Sequence, residues 1–368
     1  MRWTLALYVA RRFFQNAVAV FVSVFALVVL INLIELLRAN DDGTAGFVTL
    51  AAMAVLRAPS VTITAAPFTV LLAAMATFAG LARSSELVVT RAAGVSIWRM
   101  VLPAVAVAML MGVVAFAVYN PVAAAFAGRF ATLEEKFLGR STSSLSVAAG
   151  GIWLRQGGEA GQTVIRAKRA SADVDQLWRV SVFRFGPGDR FEARIDAARA
   201  VLTPGEWRLH QVRRWTLPRE GGPNALEVET ASVHALPTRL TPEQIQESFA
   251  APDTISFWDL PGFIALLDES GFSSSRHRLH WHALLAAPVV FSAMVLFGAA
   301  FSTRHARFGG LGVMALGCVL TGFAYFFLSD VAQALGASGA VPAALAAWGP
   351  PAAAVLLATG LLLHLEDG

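Results

Sequence analysis

The sequence predicts an α-helical integral membrane protein with six transmembrane helices and an exported all-β domain inserted between helices 3 and 4. Three observations predict it. Of 368 residues, 56% are hydrophobic and 15% charged, where a soluble chain carries about 25% charged residues. Nearly uncharged runs of about 20 residues recur, the length a helix needs to cross roughly 30 Å of hydrocarbon. Between the third and fourth runs, the hydrophobic period changes from helical to alternating over the longest hydrophilic stretch of the chain.

The six runs lie at 13–37, 60–82, 100–120, 281–302, 309–329 and 343–365. Arg2, Arg11 and Arg12 precede the first, Arg83, Arg91 and Arg99 follow the second, and Arg304 and Arg307 follow the fourth. The opposite short loops hold only Arg38 and Arg57, with Asp41 and Asp42. Cationic residues stay on the cytoplasmic side, so eight arginines against two put both termini in the cytoplasm and the large insert outside it. The first run is too long for the apolar core of a signal peptide and lacks a small-residue cleavage site, so it reads as a retained span.

The net charge of +4 does not signal nucleic acid. Residues 121–280 carry 19 Lys/Arg against 18 Asp/Glu, and the excess of 10 against 7 elsewhere flanks the spans. That distribution sets topology rather than building a phosphate-binding face. Cys318, the single cysteine, falls in the fifth run, which excludes an intrachain disulfide and reads as a small apolar residue.

Within the insert, FEARIDAARA puts Phe191, Ala193, Ile195 and Ala197 on one side and Glu192, Arg194 and Asp196 on the other. This is the period of a half-buried strand. WRVSVFRF, then GPGD, then FEARI reads as a hairpin, and GIWLRQ, TVIRAKRA, EWRLHQVRRW and ALEVETASVHAL add further strands between Gly/Pro turns. Some six short strands at this spacing suggest a β-sandwich or open barrel. SFWDLPGFIALLDESG follows, with Ser256 and Asp259 spaced as a capping box before an interfacial helix. The expected organisation is therefore 1–120 (helices 1–3), 121–255 (the β-domain), 256–280 (interfacial helix and linker) and 281–368 (helices 4–6).

The connection RSSELVVTRAAGVSIWRM at 83–100 carries a short helix of its own. Ser84 or Ser85 can cap it and Glu86 suits the positive end of its dipole. Leu87, Val88, Arg91 and Val95 recur at helical spacing, Gly94 can end it in a left-handed conformation, and Ser96 can cap the next helix. So short a helix is unstable alone and must lie against something. It either rests on lipid headgroups or fits a groove on a soluble partner as a coupling helix at 84–95. A connector without a partner needs no dedicated helix, which favours the second reading.

The chain holds no motor of its own. Its two lysines, Lys136 and Lys168, follow Glu135 and Ala167, so no GxxxxGK[ST] exists to cradle nucleotide phosphates. GxSxG and HExxH are absent too. His277, His280 and His282 lie among Arg276, Arg278 and Trp281 without a carboxylate at a fixed offset, and read as interfacial anchors rather than metal ligands.

LARSSELVVTRAAGVS closely resembles the cytoplasmic signature of the lipopolysaccharide export permeases, the LptF/LptG (YjgP/YjgQ) family. The resemblance extends to the three-span, β-domain, three-span layout, to GIWLRQG at the start of the domain and to RHRLHWH before the fourth span. It is nearer to the LptG kind. It implies a non-catalytic ABC permease subunit in the bacterial inner membrane, with a jellyroll-like sandwich as its periplasmic domain. The implied partners are an LptF-like paralogue, a dimeric LptB-like ATPase, a single-span LptC-like protein with an LptA-like β-jellyroll, and lipopolysaccharide. ATP and Mg2+ are then used by the ATPase, with no cofactor and no metal in this chain. Ser85, Glu86, Leu87, Val88, Arg91 and Gly94 are the implied ATPase-coupling residues, with Glu86 the polar anchor.

A lipopolysaccharide site needs cations at the outer headgroup level above an apolar cavity. Arg38, at the end of the first span, offers a guanidinium fork to a phosphate, and Arg57 is a second candidate. Asn32 and Glu35 precede Arg38 on the same helix, and Glu35 can pair with Arg38 at three residues' separation. Phe323, Tyr325, Phe326 and Phe327 crowd the fifth span. The resemblance makes the first and fifth spans lateral gates, and brings these aromatics to the substrate. The competing readings are the LptF-type paralogue or another lipid- or lipoprotein-exporting ABC permease, an intramembrane lipid-modifying enzyme using Glu35 or Asp330 as a base, and a scaffold that merely anchors the β-domain.

Overall fold

A computed structural model describes residues 2–40, 45–138, 145–148, 151–158, 161–171, 175–186, 190–216, 227–238, 251–269, 273–305 and 311–367. The chain forms two compact units. The first comprises Met1–Leu138, Asp253–Leu260 and Ser275–Gly368, and the second Gly139–Pro252 and Pro261–Ser274. The described helices are α1 (Arg2–Ala39), α2 (Phe47–Arg83), α3 (Glu86–Ala92), α4 (Ile97–Val114), α5 (Asn120–Leu138), α6 (Leu260–Glu269), α7 (Ser275–His305), α8 (Leu311–Ala337) and α9 (Ala343–Asp367). Arg307, Asp41 and Asp42, used above for orientation, lie outside the described residues.

Six of these helical stretches are long and apolar enough to cross a membrane: Trp3–Ala39, Phe47–Arg83, Ile97–Glu134, Ser275–Ser302, Ala315–Ala337 and Ala343–His364. Five of the predicted runs fall on one of them; the fifth, predicted at 309–329, overlaps Ala315–Ala337 but is shifted toward the N-terminus, and several helices extend well beyond the run. Hydropathy finds the greasy part of a helix, whereas the helix itself ends where a breaker or cap stops it. Thus α1 continues back through Arg11 and Arg12, which are good helix formers. Helix α2 starts 13 residues before the predicted 60 and takes Pro59 and Pro67 into its interior.

The third span differs most. Helix α4 passes through a π-helical turn, Ala115–Tyr119, into α5, so the helix reaches Leu138 and the first strand begins only at Leu145. Residues 121–138, expected in the β-domain, are helical. Pro121 has no N–H for the carbonyl of Ala117, four residues back. That carbonyl accepts the indole N–H of Trp258 at 3.1 Å, and the Asn120 side-chain oxygen accepts the Phe257 N–H at 2.8 Å. A proline at the predicted boundary is accommodated inside the helix because the Trp258 indole satisfies the carbonyl it leaves free.

Helix α7 lies at the centre of the first unit, with every residue from 291 to 300 buried. The core it shares with α2, α4 and α9 is rich in alanine, including Ala73, Ala74, Ala104, Ala108, Ala293, Ala299 and Ala300. Small side chains let helix backbones approach closely where no water is available to drive association. Helices α1 and α8 are the opposite case, with only 11% of their apolar windows buried.

Among the described residues, the second unit holds an antiparallel sheet of eight strands in the order β1-β2-β3-β5-β6-β7-β8, with β4 (Arg169–Ala170) pairing β5. The others are β1 (Leu145–Ala148), β2 (Gly151–Gly158), β3 (Gly161–Ala167), β5 (Gln176–Phe185), β6 (Phe191–Thr203), β7 (Glu206–Thr216) and β8 (Glu227–Pro237). The predicted hairpin is β5–β6, paired from Gln176↔Val201 to Phe185↔Phe191.

A crease crosses this sheet. Arg179 on β5 and Gln211 on β7 have φ of 52° and 55°, in the left-handed region. They and Ala198 between them fall in one row of missing pairings across β5, β6 and β7. The buried positions slip by one residue at that row: Leu177 then Val180, Ala197 then Ala200, Leu209 then Val212. The other face carries a ladder of alternating rings and cations, with Arg166 over Trp153 at 5.2 Å and Arg194 5.6 Å from both Phe183 and Trp215.

The helix expected to start on a Ser256/Asp259 capping box starts later. Ser256 Oγ accepts from the Trp258 N–H, residues 257–259 form a turn, and α6 begins at Leu260. Its Leu267 and Phe263 pack into the core of the sheet.

Candidate functional site

The connection from α2 to α4 is built from the short helix α3 and two tight turns. At its C-terminus Gly94 has φ +77°, its N–H bonds the Arg91 carbonyl at 2.9 Å and the Val95 N–H reaches the Thr90 carbonyl at 3.1 Å. Those two bonds make a Schellman motif, which ends the helix as expected for Gly94. Ser96 Oγ accepts from the Trp98 N–H and caps α4, also as expected.

The N-terminus departs from expectation. Ser85 stands at the cap position, but in a left-handed conformation at φ 59° and without a side-chain cap. Ser84 does not cap either. Its hydroxyl donates to Glu86 Oε1 at 2.7 Å. Glu86 Oε1 also accepts from Arg12 Nη1 at 3.2 Å, and the same Arg12 nitrogen donates to Tyr8 Oη at 2.7 Å. Two serines before a glutamate suggest a cap, but a carboxylate two residues on is the stronger acceptor for Ser84. The Ser84 hydroxyl, then Tyr8 and Arg12, hold the Glu86 carboxyl below its usual 4.5 against the opposing effect of desolvation.

The remaining predicted coupling residues separate by direction. Leu87 is 5% exposed and packs into the helical core with Ile97 and Met100. It seats α3 rather than presenting a surface. Val89, which is not among those residues, is 66% exposed. The side chain of Val88 lies outside the described residues, and that of Arg91 is partly exposed. Counting round the helix from the buried Leu87 was the available signal for Val89.

At the other end of α1, Glu35 pairs with Arg57 of α2 at 3.2 Å, not with Arg38. The Arg57 guanidinium also lies 5.7 Å from the Phe130 ring of α5. A partner on a facing helix is nearer than one a turn along the same exposed edge. Arg38 is exposed, and among the described residues no hydrogen bond or ion pair engages it. Asn32 is 4% exposed, and its amide nitrogen has no hydrogen-bond partner among the described residues.

The aromatics of α8 do not gather on one side. Phe326 meets Phe68 of α2, with ring centroids 6.1 Å apart, and Tyr325 packs on the helical core. Phe323 and Phe327 are each 63% exposed and form, with Leu316, Val319 and Leu320, an open apolar face. His277 is buried and His280 and His282 are partly buried, and among the described residues no group of three or more His, Cys, Asp or Glu side chains is placed to hold a metal.

Comparison with known proteins agrees with this layout. The family model described as lipopolysaccharide export system permease LptF/LptG matches residues 7–364. The chain is 24% identical over 300 residues to the lipopolysaccharide export system permease protein LptG of Escherichia coli, covering 81% of each chain. It is 21% identical over 375 residues to the LptG protein of Haemophilus influenzae, covering 99% of each. A match along nearly the whole chain, through both units and the α3 connection, makes this protein a member of the LptF/LptG family, the permeases of the lipopolysaccharide export system.

Proposed function

We propose that this chain is the LptG-like half of an ABC exporter in the inner membrane, pairing with an LptF-like paralogue. Its α3 docks on a dimeric LptB-like ATPase that binds ATP and Mg2+, and this chain supplies the path for lipopolysaccharide. Both termini and α3 then face the cytoplasm, and the β-unit, inserted between the third and fourth spans, faces the periplasm. Its creased sheet is one half of a jellyroll-like fold that passes lipid to an LptC-like and LptA-like bridge.

The observation that carries this reading is α3 itself. It is a seven-residue helix between two spans, locked at both ends, with Leu87 turned in and Glu86 and Val89 accessible. A segment with so few internal hydrogen bonds keeps its shape only through the contacts around it. The open faces of α1 and α8 are the surfaces where lipid or a single-span partner helix would enter, and Arg38 is the cation offered to a phosphate.

The test is to purify the chain with its partners and compare Glu86→Arg. We expect the unsubstituted chain to co-elute with a six-span paralogue and a soluble ATPase, and the variant to fold but lose coupled ATP hydrolysis. Full transport by Glu86→Arg would refute the reading of α3.

A further inference from the structure

Resting on the reading of α3 as the joint with an ATPase, we infer that Arg12 is a positioning residue that carries movement of α3 into α1. Three features meet at Arg12. Its guanidinium pairs with Glu86, whose side chain remains 38% exposed, so one carboxylate faces both this chain's own cation and an incoming partner. Arg12 Nη2 lies 3.1 Å from where a Cβ on Gly80 would stand, so α2 leaves a slot that the guanidinium fills. One turn further along α1, Asn16 Nδ2 donates to Thr77 Oγ1 at 2.9 Å. Tyr8, Arg12 and Asn16 thus form a polar line that grips α2 and α3, beside the buried apolar seam of Val9, Phe13 and Ala17.

What lies beyond the grip gives it a purpose. Among the six apolar helices, α1 alone contains neither proline nor glycine, so it has none of the usual sites for a sharp kink. It packs mainly along α2 and more lightly along α4, and most of its surface is free. From Arg12 to Arg38 this helix spans about 39 Å at roughly 1.5 Å per residue. A stiff helix shifted at one end carries its other end with it, and at that other end Val29, Leu33 and Leu36 pack beside residues of α2 and α5. Arg12 joins this helix to α3, and the helix ends beside the Glu35–Arg57 pair and the exposed Arg38.

The experiment uses the full complex with its paralogue and ATPase, reconstituted in vesicles containing lipopolysaccharide. Arg12→Gln should retain the ATPase and hydrolyse ATP at the unsubstituted rate, while lipid released per ATP falls about five- to tenfold, the size of an ordinary coupling energy between sites. Arg12→Lys should restore release in large part, because an ammonium can still meet the Glu86 carboxylate that Arg12 Nη1 reaches at 3.2 Å. Gly80→Leu, which fills the slot from the other side, should reproduce the Arg12→Gln loss. A label at Leu37→Cys in a Cys318→Ala background should change environment on ATP binding, and not do so with Arg12→Gln. Normal release per ATP in Arg12→Gln would overturn the inference, as would loss of the ATPase from that variant, which would make Arg12 a docking or folding residue. If the unsubstituted chain binds no ATPase, the reading of α3 fails first and the inference with it.

Discussion

Arg57 of α2 is paired with Glu35 of α1 at 3.2 Å, and Arg38, one turn further along α1, is left without a described partner. The two cations that composition alone places on the same side of the membrane therefore differ in what they can offer. An arginine already facing a carboxylate is neutralised, and a phosphate must displace that carboxylate to reach it. Arg38 has no such competitor.

The expected outcome is a clear asymmetry. Arg38→Ala should weaken lipopolysaccharide extraction about tenfold or more, since a charge-assisted hydrogen bond contributes roughly 1.5–3 kcal/mol. The double substitution Glu35→Gln with Arg57→Gln should leave extraction close to normal, and a double-mutant cycle for stability should give about 0.2–1 kcal/mol, as for other half-exposed pairs. Extraction of photo-crosslinkable lipopolysaccharide by the reconstituted exporter measures both. Equal losses in the two variants would mean that the Glu35–Arg57 pair opens during transport.

Leu87 and Val89 stand two residues apart on α3 and do opposite things. Leu87 is inside, so Leu87→Ala should destabilise the helical unit by about 2–5 kcal/mol and loosen α3 with it. Val89 is outside, so Val89→Asp should leave thermal unfolding in detergent unchanged but strip the ATPase from the purified complex. Retention of the ATPase by Val89→Asp would place the docking surface elsewhere on the connection.

The spans, the β5–β6 hairpin and the Gly94 stop were legible because each depends on residues close in sequence: an apolar run, an alternation around Gly-Pro-Gly, a glycine at the end of a helix. What was not legible depends on distant partners. Pro121 reads as a boundary until Trp258 takes the carbonyl it leaves free. Glu35 reads as a partner for Arg38 until α2 brings Arg57 beside it. The crease at Arg179 and Gln211 left a trace, since the apolar positions in each strand are spaced by three across it. Two of its left-handed residues are neither glycine nor asparagine, however, so composition did not mark it. At the site, the motif identified Glu86, but the Tyr8 and Arg12 that meet it lie more than 70 residues earlier. Only the packing of α1 on α2 joins them.

Ser85 and Gly94 bracket α3 with left-handed backbone at both ends, φ 59° and φ +77°, and the two ends should respond to substitution in opposite directions. A residue with a Cβ in this conformation costs roughly 1–2 kcal/mol that glycine avoids. Ser85→Gly relieves that strain and removes a side chain that makes no cap, so it should be neutral or stabilising. Gly94→Val adds a β-branched side chain at an obligatory left-handed position and should break the Schellman bonds from Gly94 and Val95. The hydrogen-exchange protection of α3 should then collapse in Gly94→Val while that of α7 stays intact, because residues 291–300 of α7 are all buried in the core whereas α3 is held there by Leu87 and by its two end turns. If Gly94→Val left α3 as protected as before, the turn would be held by contacts with α4 alone, and its left-handed glycine would be incidental to the joint.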